Sequence, residues 1–431
     1  MKNNKFISSI IILLIGGAIS KSLGMMIKIA ITRMIGSDGV GIYALVMPTF
    51  LLFITISQLG FPIAISMLVA EDKKNNKRLL FTSGLFLLFF NIFLVLIMLI
   101  ISPYLSKYLL NETRTYYPLI SISLVLPFIG ISSVLRGYFF GKQKMIPHTL
   151  SNIFEQIIRF VIVLIITPIL LQKNVTYAIC GIILVNIISE ISAIGIMSLF
   201  LPKNIKIKKE DLVIDTSNLK DILHISLPTT GSKLIGSITY FLEPIIITSV
   251  LLFLGYDSKF IVSEYGIISG YVIPLLLIPS FFTQAISQAL LPLISKNYAM
   301  GNKVYIKNKL KQANCISFSI GLFISVILFL FPEVFLKMIF NTTSGVNYLR
   351  ILIPFFLFHY LQGQYVAFLQ GINKAKHSMM GTLYGAIIKT ISLLLFSLLR
   401  IGLYGLIFAT ILNIVFVTIY DYLETKKALL F

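Results

Sequence analysis

The sequence predicts an all-α integral membrane protein with about twelve transmembrane helices in two six-helix lobes. Three observations predict it. The 431 residues are 57% hydrophobic and only 12% charged, about half the charged share of a soluble domain. Apolar runs long enough to cross roughly 30 Å of hydrocarbon recur along the whole length. The two halves of the chain repeat features at matched spacing.

The spans are expected near 7–31, 41–69, 80–102, 117–135, 149–171, 176–200, 222–252, 265–293, 314–332, 351–370, 378–399 and 402–420. They must be helices, because an open sheet edge is unsatisfied in lipid and the runs are too long for barrel strands. The N-terminus resembles a signal peptide only superficially. No small-residue cleavage motif follows it and the apolar run continues past Lys21 and Lys28, so it reads as an uncleaved first helix. The longest polar stretch, 201–221, is a cytoplasmic linker between an N-terminal lobe, 1–200, and a C-terminal lobe, 222–431.

The net charge of +20 would suggest nucleic acid in a soluble protein. Here the basic residues fall mostly between apolar runs. Counting alternate loops from an N-terminus inside, the cytoplasmic loops hold roughly three times as many Lys and Arg as the outer loops. Both termini are therefore expected in the cytoplasm, with Arg136 counted in a loop at 136–148. Lysines 303, 307, 309 and 311 read as a solvated cytoplasmic face that touches anionic lipid.

The repeat rests on two matches. Pro48 to Gln58 and Pro274 to Gln284 share one spacing, with Gly41 and Gly266 before the prolines offset by one residue. Gly141-Lys-Gln-Lys144 matches Gly371-Ile-Asn-Lys374, and from there Arg159 and Lys389 lie equally far on. Six helices per half return the chain to the cytoplasm, so both halves share one orientation. Paired repeats of this kind place a substrate site near mid-membrane and rock around it.

Ionisable residues inside a bilayer are costly and point to function. Five basic residues fall in spans, Lys21, Lys28, Arg159, Lys233 and Lys389, beside three acids, Glu155, Glu190 and Glu243. Gly17, Lys21, Gly24 and Lys28 form one stripe of the first helix. Two cations there, with no acid in the helix, are expected to face a wet cavity that attracts phosphate, the alternative being snorkelling to the outer interface. Arg159 has Glu155 one helical turn before it, which reads first as an intrahelical ion pair and second as a substrate contact. Lys389 has Gly385 at that position, which leaves it freer to meet a substrate or a head group. Lys233, with Glu243 and Pro244 beyond it, reads as a gate in a helix bent at proline, or as two groups paired to neighbouring helices.

No nucleotide-binding loop, nucleophile arrangement or metal-ligand spacing is present; His148, His224, His359 and His377 are scattered. No cofactor, metal or catalytic residue is expected, and the protein does not read as an enzyme. Cys180 and Cys315 read as small packing residues.

Several motifs then resemble one family. Ser20-Lys-Ser-Leu-Gly24, Arg33-Met-Ile-Gly36, Gly39-Val-Gly41-Ile-Tyr43, Gln58-Leu-Gly-Phe-Pro62 and Leu68-Val-Ala-Glu71 are similar to the start of the stage V sporulation protein B group. Glu155-Gln-Ile-Ile-Arg159, Ser232-Lys-Leu-Ile-Gly-Ser237, Tyr240-Phe-Leu-Glu-Pro244 and Pro274-Leu-Leu-Leu-Ile-Pro279 extend the likeness through most of the chain. That group belongs to the polysaccharide branch of the multidrug/oligosaccharidyl-lipid/polysaccharide flippase superfamily. The resemblance implies a MATE-like, V-shaped bundle that flips an undecaprenyl-diphosphate-linked sugar or a peptidoglycan precursor across the plasma membrane by alternating access. It implies a lipid-linked anionic substrate, membrane lipids and cell-wall synthesis proteins as partners, and no nucleic acid. Lys21 and Arg33 fall at positions where related flippases are basic, while Lys28 is one residue past a second such position, Ile27. Many members carry two further helices that hold the lipid tail; the sequence ends at Phe431, so that groove is expected to be missing or supplied otherwise.

Two other readings compete. A cation-coupled drug exporter would need carboxylates where the first helix carries lysines, and a non-transporting scaffold of envelope synthesis separates from a flippase only by assay. A major-facilitator sugar transporter is disfavoured because Glu71 to Arg78 lacks its acidic-basic motif.

Overall fold

The computed structural model describes residues 2–71, 75–202 and 215–429. Most of the expected linker at 201–221 lies outside the described residues. Among those described, every regular element is a helix, as the cost of unsatisfied peptide groups in lipid requires. Among the described residues, eleven helical stretches are long and apolar enough to cross a membrane, and the first of them, Ile15–Glu71, takes in the expected span at 41–69 and most of that at 7–31.

That first stretch shows how one glycine sets topology. Helix α1, Lys2–Gln58, has 57 residues, about 85 Å at 1.5 Å per residue and far more than one bilayer needs. Gly36 breaks it, with φ 68° and ψ 178°, a backbone region essentially confined to glycine. The break separates the spans expected at 7–31 and 41–69. The second of these is itself interrupted: Leu59 and Gly60 take positive φ and α2, Phe61–Glu71, begins after them.

The chain divides into two compact units, Met1–Phe241 and Leu242–Phe431. In the first, α3 (Asn76–Tyr104), α4 (Tyr116–Gly141), α5 (Met145–Leu171) and α6 (Val175–Leu199) complete the bundle begun by α1 and α2. Helix α4 packs against α2, α3 and α6, and α5 packs against α1 and α6. Helix α7, Thr216–Phe253, runs through Pro228 and Pro244, and the unit boundary falls inside it rather than in the linker. Its first half belongs to the first unit, where a Cβ on Gly60 would lie 2.5 Å from Thr229 Oγ1.

The second unit contains α8 (Ser258–Gly266), α9 (Ile273–Leu276), α10 (Ile278–Ala299), α11 (Lys303–Leu330), α12 (Pro332–Phe340), α13 (Val346–Gly371), α14 (Ala375–Leu398) and α15 (Tyr404–Leu429). Helix α13 packs against α10, α11, α14 and α15. Buried Gln364 of α13 donates to Thr283 O on α10 and Ser317 Oγ on α11, at 3.0 and 2.6 Å, the interhelical polar contact that apolar bundles use. The span expected at 265–293 is here several pieces: Ile267–Val272 is a π-helix, and the chain breaks again at Leu277 between α9 and α10.

The two repeat matches fare differently. The turns after α4 and α13 share one design. Gln143 and Asn373 have φ of 55° and 61°. Lys144 N donates to Phe139 O and Lys374 N to Leu369 O, at 3.0 and 2.8 Å. The proline match is one of sequence only, since Pro48 sits inside α1 whereas Pro274 opens α9.

Apolar side chains point outward as well as inward. Phe89, Phe93 and Ile100 of α3 and Ile165 of α5 are exposed, as expected where lipid replaces water. Lys303, Lys307 and Lys311 are exposed at the start of α11 while Ile306 and Leu310 are buried.

Candidate functional site

A cavity of about 480 Å³ lies within the first unit. Local helical spacing supplies its polar wall. Gly24 and Lys28 share one face of α1, Glu155 and Arg159 one face of α5, and Asn186 and Glu190 one face of α6, because residues four apart stack. All six line the cavity, together with Tyr43, Arg136, Gln156 and Tyr240.

The charged groups form a network. Glu155 uses both oxygens, accepting from Arg159 Nη2 at 2.7 Å and from Arg136 Nη2 at 2.8 Å. Arg136 Nη2 also reaches Glu190 Oε2 at 3.1 Å, and Arg159 Nη2 reaches Ser189 Oγ at 3.3 Å. Both carboxylates are buried. The Nε atoms of both arginines are buried without an acceptor among the described residues. Among the described lining residues, three basic groups, Lys28, Arg136 and Arg159, outnumber the two carboxylates. Guanidinium donors with unused N–H groups suit a phosphate or carboxylate.

The expected intrahelical pair of Glu155 and Arg159 is present, but as part of a larger network. Arg136 corrects the sequence reading: it lies inside α4, not in a loop at 136–148. The signal was available, since Gly137-Tyr-Phe-Phe140 continues the apolar run past it. Of the two lysines on the first stripe, Lys28 lines this cavity, whereas Lys21 is exposed and outside its wall. Arg33 is exposed beside the Gly36 break, and Lys233 is exposed on α7.

Lys389 differs from expectation. It is no freer than Arg159: its Nζ pairs with Glu243, the buried acid of α7, and Tyr265 Oη donates to the other oxygen of Glu243 at 3.1 Å. Glu243 and Lys389 thus form a separate ion pair within the second unit. Pro244 follows Glu243 in unbroken helix, Pro48 is buried in α1 between the cavity residues Met47 and Phe50, and Pro274 is buried in α9.

Fold and site together define a multi-pass membrane protein with the fold of MATE transporters. An inward-facing MATE family multidrug resistance transporter of the MOP superfamily matches with a TM-score of 0.76 at 16% identity, over 95% of this chain and 94% of that one. A MOP superfamily transporter from Pyrococcus furiosus, described as having a binding pocket of reverse polarity, matches with a TM-score of 0.62 at 17% identity, over 98% and 95%. In sequence, the chain is 33% identical to stage V sporulation protein B of Bacillus subtilis (strain 168), over 100% of this chain and 85% of that protein. It is 23% identical to the lipid II flippase MurJ of the same organism, over 99% and 83%. The chain belongs to the polysaccharide biosynthesis protein family, whose pattern matches residues 6–298, and the MatE pattern matches residues 237–395.

Proposed function

We propose that this protein is a flippase that moves a lipid-linked oligosaccharide or peptidoglycan precursor, carried on an undecaprenyl diphosphate, across the plasma membrane by alternating access. The observation that carries the reading is the cavity of the first unit. It holds Lys28, Arg136 and Arg159 beside two carboxylates, and a wall in which basic groups outnumber acidic ones suits a diphosphate. The family assignment and the likeness to a lipid II flippase support it. In this reading Lys28 and the two arginines contact the diphosphate. Lys21, Arg33 and Lys233 guide it from outside the cavity, and the Glu243–Lys389 pair gates the second unit with Pro244. Both termini are cytoplasmic. The two lobes expected from the repeat, 1–200 and 222–431, remain the moving parts of this proposal.

The test is depletion of the protein in its native cell, with outward exposure of lipid-linked precursor measured beside Lys28→Ala and Arg136→Ala. Loss of exposure on depletion, unrescued by either variant, is the expected result. Full exposure without the protein would sink the reading.

One alternative has specific support. The MatE match favours a cation-coupled drug exporter. A wall in which basic groups outnumber acidic ones argues against organic cations as cargo, and resistance to cationic dyes unchanged by deletion would dispose of this alternative.

A further inference from the structure

A smaller pocket, of about 180 Å³, lies within the second unit. It is lined from the last turns of α10, the first turn of α11, the end of α13 with the turn after it, and the last turn of α15. The candidate spans Lys303–Leu330 and Ala375–Leu398 begin at this end, and Val346–Gly371 and Tyr404–Leu429 finish there. The ends of spans mark the level of the lipid headgroups. The pocket has two kinds of wall. Lys303 and Lys374 bring ammonium groups and Tyr298 a phenol. Ile306, Phe368 and Ile372 form an apolar floor, buried in the cluster that closes this end of the unit, and Leu429 packs against them.

The surroundings are basic and apolar at once. The segments 294–313 and 371–380 contain no acid, and Lys296, Lys307 and Lys376 are exposed in them. Glu424, the last acid of α15, already binds Lys427 and His377 at 2.7 and 2.8 Å. Among these cations Met300 and Val304 are 66% and 72% exposed. Contact with water costs such side chains free energy that contact with an acyl chain does not. Lysines interleaved with exposed apolar groups match a ligand that is anionic at one end and hydrocarbon at the other.

We propose that this pocket binds one anionic phospholipid. Its phosphate lies between the ammonium groups of Lys303 and Lys374, which bind phosphate as point charges. Its glycerol lies on Phe368, Ile372 and Leu429. A space of 180 Å³ has no room for two acyl chains, which run over Met300 and Val304 instead. The bound lipid bridges the ends of α10, α11, α13 and α15, and it stabilises the folded protein by mass action. The inference does not rest on the flippase reading.

The experiment uses the full-length protein in a non-ionic detergent. Short-chain phosphatidylglycerol, the matched phosphatidylcholine and inorganic phosphate are titrated in parallel, read by unfolding temperature and by native mass spectrometry. Phosphatidylglycerol is expected to raise the unfolding temperature saturably, with one lipid retained per chain. Phosphatidylcholine should bind about tenfold more weakly. Phosphate at equal concentration should give no shift, because it leaves the apolar floor uncovered. Lys303→Gln should lower the affinity for phosphatidylglycerol about fivefold. Lys307→Gln, which removes an exposed charge of α11 outside the pocket, should leave it unchanged. Ala428→Trp fills the pocket and should abolish retention with every lysine in place; if it fails to fold, the two lysine variants decide. Equal losses in Lys303→Gln and Lys307→Gln overturn the site, since diffuse attraction then accounts for the binding. Equal binding of the two lipids overturns it, and so does retention of neither. A phosphate shift as large as the lipid's assigns the pocket to a free anion and overturns the lipid.

Discussion

At the residue scale, Glu155 is the hub of the first unit's charge network, accepting from Arg159 on one oxygen and from Arg136 on the other. Glu155 and Arg159 were legible because helical geometry stacks residues four apart. Arg136 lies 19 residues from Glu155 and 54 from Glu190, and Lys389 lies 146 from Glu243, so only the fold brings them together. The network implies a large penalty for removing its hub. Glu155→Ala leaves two arginines facing each other in a buried wall and is expected to cost about 3–5 kcal/mol, read as thermal unfolding in detergent. A loss no larger than that of an exposed substitution would contradict the hub role. For the second unit, a double-mutant cycle of Glu243→Gln and Lys389→Gln is expected to show a coupling of about 1–3 kcal/mol. Strict additivity would mean that the pair contributes nothing.

At the scale of elements, apolar run length located the helices well, and glycine decided where they break. An interruption between the spans at 7–31 and 41–69 was legible; that it is confined to the single residue Gly36, with helix on both sides, is shown only by the backbone value of φ 68°. Gly36→Ala is expected to cost about 1–3 kcal/mol through strain. Gly17→Ala, which meets nothing within 4 Å, is expected to stay within about 0.5 kcal/mol of wild type. Equal unfolding temperatures for the two variants would refute the argument. The repeated turn offers a matched comparison. A Cβ on Gly141 would sit 2.7 Å from Ser66 O and one on Gly371 2.7 Å from Ile294 Cγ2. Both alanine variants should destabilise, Gly141→Ala more, because a backbone oxygen yields less than a side-chain methyl. The proline match was misleading at this scale: equal spacing in sequence did not produce equal helices around Pro48 and Pro274.

At the scale of the whole molecule, composition and run length established a membrane bundle, since nothing else satisfies so many peptide groups in lipid. The cationic character of the site was legible too, but its position was not. The stripe pointed to Lys21 and Lys28 alike, and the fold lines the cavity with Lys28 and with Arg159, itself an expected candidate, and adds Arg136, both arginines held by glutamates. The central claim is that this cavity holds the diphosphate of a lipid-linked substrate. Full-length protein in proteoliposomes can be given two glycolipids with the same short prenyl tail and sugar, one joined by a diphosphate and one by a neutral ether. The account predicts transbilayer movement of the diphosphate lipid alone, slowed by about tenfold or more in Lys28→Gln, the scale of one lost charged hydrogen bond. Equal movement of both lipids, or a Lys28→Gln rate equal to wild type, would contradict it.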